Sequence, residues 1–242
     1  MIDTVLSYHL NPHTCGVAKF NLRLAKELGV PCLPLGAKDC GVPLVSIKLS
    51  ELPEMMHIGT YRTYDLLLHD RVMWTDTPFY RKARRVFYAD EIGCPSTVDG
   101  NPTRGAYRVL TFGMAHKLVL PHFEKLKQQL AVEHPDYTIS LSTAVHEGSP
   151  WDTALTESAA SMRAIFGDRL RVLGFLADDA LAKELQDCDA VAAYFTPALR
   201  ANNTSAWAAI AAGKRLYTNT DADSPALDHP PTWERLITVL HA

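Results

Sequence analysis

Arg200-Ala201-Asn202-Asn203-Thr204-Ser205 runs directly into Ala206-Trp207-Ala208-Ala209-Ile210-Ala211-Ala212-Gly213. An apolar strand, Ala190 to Phe195, comes before it, and Lys214-Arg215-Leu216-Tyr217-Thr218-Asn219 reads as a short strand after it. The stretch is therefore a loop feeding a helix between two strands of an α/β sheet. Asn203 or Thr204 can cap that helix, and Gly213 can end it. Backbone N–H groups at such a helix start attract an anion, most commonly phosphate. An ordinary capped α/β loop satisfies the same pattern, because every helix in such a sheet needs a start.

Outward from this stretch the pattern repeats. Ile2-Asp3-Thr4-Val5-Leu6-Ser7-Tyr8 reads as a first strand, and His9-Leu10-Asn11-Pro12-His13-Thr14-Cys15-Gly16 is a loop rich in turn formers. Val17, Phe20, Leu24 and Leu28 then recur at helical spacing until Gly29, before a short strand from Pro31 to Leu35. This is a βαβ signature. Gly16 permits close approach of backbone to a ligand, and His9 and His13 offer side chains of the type that moves protons, although two solvated histidines in a polar loop fit equally well. Pro43 to Leu49 and Tyr64 to His69 read as further strands, the last ending in His69-Asp70. An ionisable pair at the carboxyl end of a strand stands where open α/β sheets bind ligands, and a strand-end turn is the alternative. Arg81-Lys82-Ala83-Arg84-Arg85 reads as the solvated face of a helix, with phosphate or nucleic acid as the competing partner.

The run from Gly93 to Gly105 is dense in Gly, Pro and Asn and marks the expected boundary between an N-terminal lobe, residues 1–100, and a C-terminal lobe, residues 101–242. Beyond it a strand from Tyr107 to Thr111, a loop from Phe112 to Lys117 and a helix marked by Val119, Phe123, Leu126 and Leu130 restart the alternation. It continues to a terminal helix carrying Trp233, Leu236, Ile237 and Leu240. Two α/β lobes with mostly parallel sheets are expected to meet across a cleft.

Composition narrows the function. A net charge of -3 creates no global field to recruit nucleic acid or an anionic membrane. No apolar run reaches bilayer-spanning length. The start Met1-Ile2-Asp3-Thr4 has no basic, apolar leader, and the 5 cysteines are scattered with no CxxC, so a reducing, cytoplasmic setting without structural zinc or disulfides is expected.

Several of these stretches, in order, resemble GT-B glycosyltransferases. Gly16 to Ala25 is similar to their first loop and helix, and Val109-Leu110-Thr111-Phe112-Gly113-Met114-Ala115-His116-Lys117 resembles the opening strand and loop of their donor domain. Gly174 to Leu181 looks like their G-x-(x)-x-D-x-x-L stretch, and Asp187 to Val191 like the strand entry that follows. Arg200 to Gly213 occupies the place of their E-x7-E motif, with Arg200 and Ala208 where the two glutamates stand.

The resemblance implies a GT-B fold with two Rossmann-like lobes, the N-terminal one reduced. It implies a nucleotide-sugar donor used as substrate, with no cofactor and no metal; Asp221-Ala222-Asp223 has the letters of a metal-binding DxD but reads as a turn. Lys117 would touch the donor diphosphate, together with Gly16, Gly113, Arg200, Asn202, Asn203, Thr204 and Ser205. An arginine in place of an acid suits an anionic partner, because a guanidinium forks onto phosphate oxygens; pairing with a nearby acid is the alternative. One of His69 and Asp70 would orient the acceptor or donor sugar, and Asp70 would assist proton removal. The acceptor stays open among a glycan, a small molecule and modified nucleic acid. Three readings remain: an active glycosyltransferase, one acting on modified DNA bases included; an inactive module that binds a nucleotide or sugar phosphate; and a nucleic-acid factor using Arg81 to Arg85.

Overall fold

The structure is a computed structural model that describes residues 1–13, 15–48, 58–69, 78–89, 105–114, 118–144, 155–201, 203–228, 230 and 232–241. The chain divides into two compact units, Met1–Ile92 with Pro231–Ala242, and Gly93–Pro230.

In the first unit, β1 (Thr4–Ser7), β2 (Cys32–Pro34), β3 (Pro43–Ile47), β4 (Asp65–Leu68) and β5 (Val86–Tyr88) form one sheet in the order β2-β1-β3-β4-β5. Every pairing is parallel. The strands β1, β3 and β4 are buried along their whole length, as expected when helices cover both faces of a parallel sheet. Side chains alternate between the faces. Val5, Leu44 and Leu67 pack against Phe20 and Leu24 of α1 (Gly16–Leu28), whereas Leu6, Val45, Leu66 and Leu68 pack on the other side with Ile58 and Tyr64. Helix α1 ends in a Schellman turn: Gly29 takes φ 69°, and the Val30 N–H reaches the Ala25 carbonyl.

In the second unit, β6 (Arg108–Met114), β7 (Thr138–Ala144), β8 (Leu170–Gly174), β9 (Ala190–Ala192) and β10 (Arg215–Tyr217) are again all parallel, in the order β10-β9-β6-β7-β8. Helices α3 (Leu120–Glu133) and α4 (Leu155–Phe166) cover the face of Val109, Ile139 and Leu141. Helices α5 (Asp178–Asp187) and α6 (Thr204–Ala211) cover the face of Leu110 and Val191. Both strand orders are doubly wound, with the winding direction reversing between β1 and β3 in one sheet and between β6 and β9 in the other. Open α/β sheets bind ligands at the carboxyl ends beside such a reversal.

Three elements differ from the sequence reading. The terminal helix α7 (Trp233–His241), placed by sequence in the C-terminal lobe, packs in the first unit. Leu236 and Leu240 join the core of Phe20 and Leu24, and the Trp233 ring lies 5.2 Å from that of Phe20. Its apolar stripe identified it as a helix but carried no information about which unit it covers. Strand β6 runs on to Met114 rather than stopping at Thr111, because its ladder with β7 continues through Gly113↔Thr143 and Met114↔Ala144. Strand β9 stops at Ala192, short of Phe195, because the Asn219 amide replaces the ladder there. Asn219 Oδ1 accepts the Phe195 N–H at 2.8 Å, and Nδ2 donates to the Phe195 carbonyl at 2.8 Å.

Helix α2 (Pro78–Lys82) and the basic run after it also depart from expectation. Arg84 and Arg85 are not simply a solvated face. Both clamp Asp65, whose side chain is 0 % exposed. Arg84 forks onto both carboxylate oxygens at 2.8 and 2.7 Å, and Arg85 Nη2 meets Oδ2 at 2.7 Å. Burial alone raises a carboxyl pKa, but the hydrogen bonds and charges of the two arginines outweigh it and hold Asp65 below the usual carboxylate range.

Candidate functional site

The carboxyl edge of each sheet holds sequence-predicted residues. In the first unit, parallel register sets Ser7 at the end of β1 opposite Ser46 near the end of β3. His69 follows β4, its N–H bonded to the Ile47 carbonyl at 3.1 Å. His69 is 2 % exposed, and its ring stands nearly perpendicular to that of Phe20, the centroids 5.1 Å apart. Its Nε2 lies 2.8 Å from Ser46 Oγ, which donates to Asn21 Oδ1 at 2.6 Å. Asn21 Nδ2 donates to Ser7 Oγ at 2.9 Å, and Ser7 Oγ donates to the His9 carbonyl at 2.6 Å. All four side chains are buried, and the Ser7 hydroxyl both donates and accepts. Sequence reasoning passed over Asn21, Ser46 and Ser7. The available signal was Asn21 itself: it lies four positions after Val17 and three before Leu24, on the apolar stripe of α1, where an amide needs buried partners.

Gly16 opens α1 after Cys15, which supplies no side-chain cap. A Cβ at Gly16 would meet nothing within 4 Å, so the fold itself does not require glycine there. His13 is exposed, and its N–H bonds Asn11 Oδ1 in a local turn. Asp70 lies outside the described residues, as do Lys117, Asn202 and the Gly/Pro-rich run 93–104.

In the second unit, Gly113 stands near the end of β6 at φ 142°, a conformation that L residues rarely adopt. Beside it Thr143 is 2 % exposed, and its Oγ1 has no hydrogen-bond partner among the described residues. Arg200 does not present an open fork. Its Nη1 and Nη2 bind Asp221 Oδ1 and Oδ2, both at 2.8 Å, and Nη1 also reaches the Leu199 carbonyl. The pairing with a nearby acid is thus the arrangement found. Hydrogen bonding to Asp221 raises the Arg200 pKa, and the same bond lowers that of Asp221. Asp221 also accepts the Asp223 N–H on its side chain and the Ser224 N–H on its carbonyl, so Asp221-Ala222-Asp223 is a turn.

The loop into α6 is braced from within. Asn203 stands at the N-cap position but does not cap; its Oδ1 turns back to the Arg200 N–H at 2.6 Å. Trp207, 1 % exposed, donates Nε1–H to the Ala201 carbonyl at 2.8 Å. Thr204 and Ser205 form the first turn of α6, and Gly213 ends it at φ 67° in a Schellman turn, with the Lys214 N–H on the Ala209 carbonyl. Among the described residues no group of three His, Cys, Asp or Glu side chains is placed to hold a metal ion, and no helix is long and apolar enough to cross a membrane.

No family model matches the chain, and no curated protein does. Solved structures do. The chain is similar to HepE of Anabaena in complex with UDP and glucose, at 14 % identity and a TM-score of 0.54, over 89 % of this chain and 80 % of that one. The complex of HepE with UDP-glucose matches at 15 % identity and a TM-score of 0.54, over 90 % and 80 %. Trehalose-6-phosphate synthase OtsA matches at 13 % identity and a TM-score of 0.50, over 92 % of this chain and 58 % of that one. With two parallel five-stranded sheets, this is the fold of the GT-B glycosyltransferases.

Proposed function

We propose that the protein is a glycosyltransferase that moves a sugar from a nucleotide-sugar donor to an acceptor without a metal. The observation that carries this reading is the likeness in fold, over 90 % of the chain, to a protein solved with UDP-glucose. The carboxyl edge of the second sheet takes the donor. Gly113 admits ligand close to the backbone, Lys117 offers a cation, and Asn202, Asn203, Thr204 and Ser205 bring the start of α6. Leaving-group charge on the diphosphate needs fixed donors of this kind and no covalent help from the protein. Arg200 contributes differently from the sequence expectation: held by Asp221, it shapes the loop rather than forking onto phosphate. In the first unit, Gly16, His69 and Asp70 serve the sugar or acceptor hydroxyls. Arg200 and Ala208 in place of two glutamates favour a second reading, a module that binds the donor without turnover.

Calorimetry and thermal melting with UDP and UDP-glucose test the proposal. A ligand that binds the native state raises its melting temperature by mass action. Lys117→Ala should weaken UDP binding about tenfold or more, the scale of one charge-assisted contact. No shift with any nucleoside diphosphate would remove the reading, and binding of UDP-glucose without release of UDP in the presence of candidate acceptors would select the inactive module.

A further inference from the structure

The buried chain of hydrogen bonds in the first unit has only one consistent assignment of protons. It starts at the His9 carbonyl, which can only accept, so the single Ser7 hydroxyl proton is spent there. Ser7 Oγ must then accept from Asn21, which puts the amide NH2 on that side and Oδ1 on the other. Oδ1 can only accept, so Ser46 spends its proton on Asn21. Nothing remains for Ser46 to give, and the 2.8 Å contact with His69 exists only if His69 Nε2 carries a hydrogen. Reversing any one bond leaves two donors or two acceptors facing each other in a site where all four side chains are at most 2 % exposed.

We propose that Ser7, Asn21 and Ser46 are positioning residues that hold His69 with its proton on Nε2, which makes Nδ1 the accepting nitrogen of the neutral ring. The edge packing against Phe20 holds the ring plane as well. For function, resting on the glycosyltransferase reading, the relay sets which way the imidazole faces at the sheet edge that serves the sugar. The relay crosses β1, α1, β3 and the end of β4, so its setting is a property of the whole sheet edge beside the β1/β3 reversal.

The test is a long-range proton–nitrogen correlation spectrum of the full chain labelled with 15N-histidine, taken at neutral pH. The sequence has 10 histidines, and His69→Gln identifies the signal of interest. The expected result is a single neutral tautomer protonated at Nε2. A ring protonated at Nδ1, or one averaging between both forms, would overturn the relay. Ser46→Ala removes the acceptor and should convert the single tautomer to a mixture, while Ser46→Thr keeps the hydroxyl and should retain it. Ser7→Ala frees the Asn21 amide to turn over and should also admit the second tautomer, although Ser7 does not touch the imidazole. Retention of the wild-type tautomer in both alanine variants overturns the proposal, and if Ser46→Ala does not fold, the wild-type spectrum and Ser7→Ala decide it. UDP-glucose plays no part in these spectra, so failure of the glycosyltransferase reading would show as absent binding or turnover with the tautomer unchanged.

Discussion

Two arginine–aspartate clamps brace the two units, and they have opposite settings. In the first unit Asp65, 0 % exposed at the start of β4, takes two guanidinium groups from the chain just ahead of β5. In the second, Arg200 and Asp221 meet in bidentate geometry with side chains 29 % and 39 % exposed, at the loop that leads to α6. Bond lengths hardly separate them, since the short contacts fall at 2.7 and 2.8 Å. Their energetic meaning differs because of water. A buried carboxylate has lost its hydration, so its partners are obligatory. At an exposed pair, solvent replaces a lost partner and salt screens the attraction. The first clamp is a condition of folding, whereas the second can be rearranged at low cost, which suits a loop beside a ligand edge.

Breaking the buried clamp should have the largest effect. Replacing both Arg84 and Arg85 by alanine leaves the buried Asp65 carboxylate without a cation and is expected to cost about 3 kcal/mol or more in urea unfolding. The same clamp should appear in acid. The folded-state pKa of Asp65 is depressed, so its contribution is complete above the unfolded value of about 3.9 and is lost as pH falls through the folded value. Asp65→Asn should flatten that acid limb; an acid limb identical to wild type would deny the clamp its role.

An intermediate effect is expected at the second sheet edge. Gly113→Ala forces a side chain onto φ 142° and should cost about 1–3 kcal/mol, whereas Gly16→Ala meets open space and should leave the melting temperature nearly unchanged. Equal melting temperatures for the two variants would show that the Gly113 conformation is not strained for other residues. The smallest effect belongs to the exposed clamp. Asp221→Ala should leave the urea midpoint close to wild type, while releasing Arg200 and strengthening the binding of pyrophosphate measured by calorimetry. A loss of stability comparable to that of the Arg84→Ala, Arg85→Ala double variant would erase the distinction between the clamps.

The sequence by itself determined the alternation of strands and helices, the helix stops at Gly29 and Gly213, and the resemblance to GT-B proteins, because these rest on local periodicity and backbone preference. It also marked His69 as a strand-end residue and Asp221 to Asp223 as a turn. What it left open were matters of partnership between distant positions. Helix α7 joins the first unit across most of the chain, Asn219 takes the place of a strand beside Phe195, and Arg84 and Arg85 turn from a solvated face into the clamp on Asp65. Arg200 carried two readings, phosphate or acid, and only the folded loop placed Asp221 in its fork. The relay from Ser7 to His69 was the least legible, since serine and asparagine are common everywhere and acquire meaning only when parallel register and one helix face bring them together without water. Periodicity is written along the chain, whereas the choice of a hydrogen-bond partner is made in three dimensions, where burial makes every unpaired polar group costly.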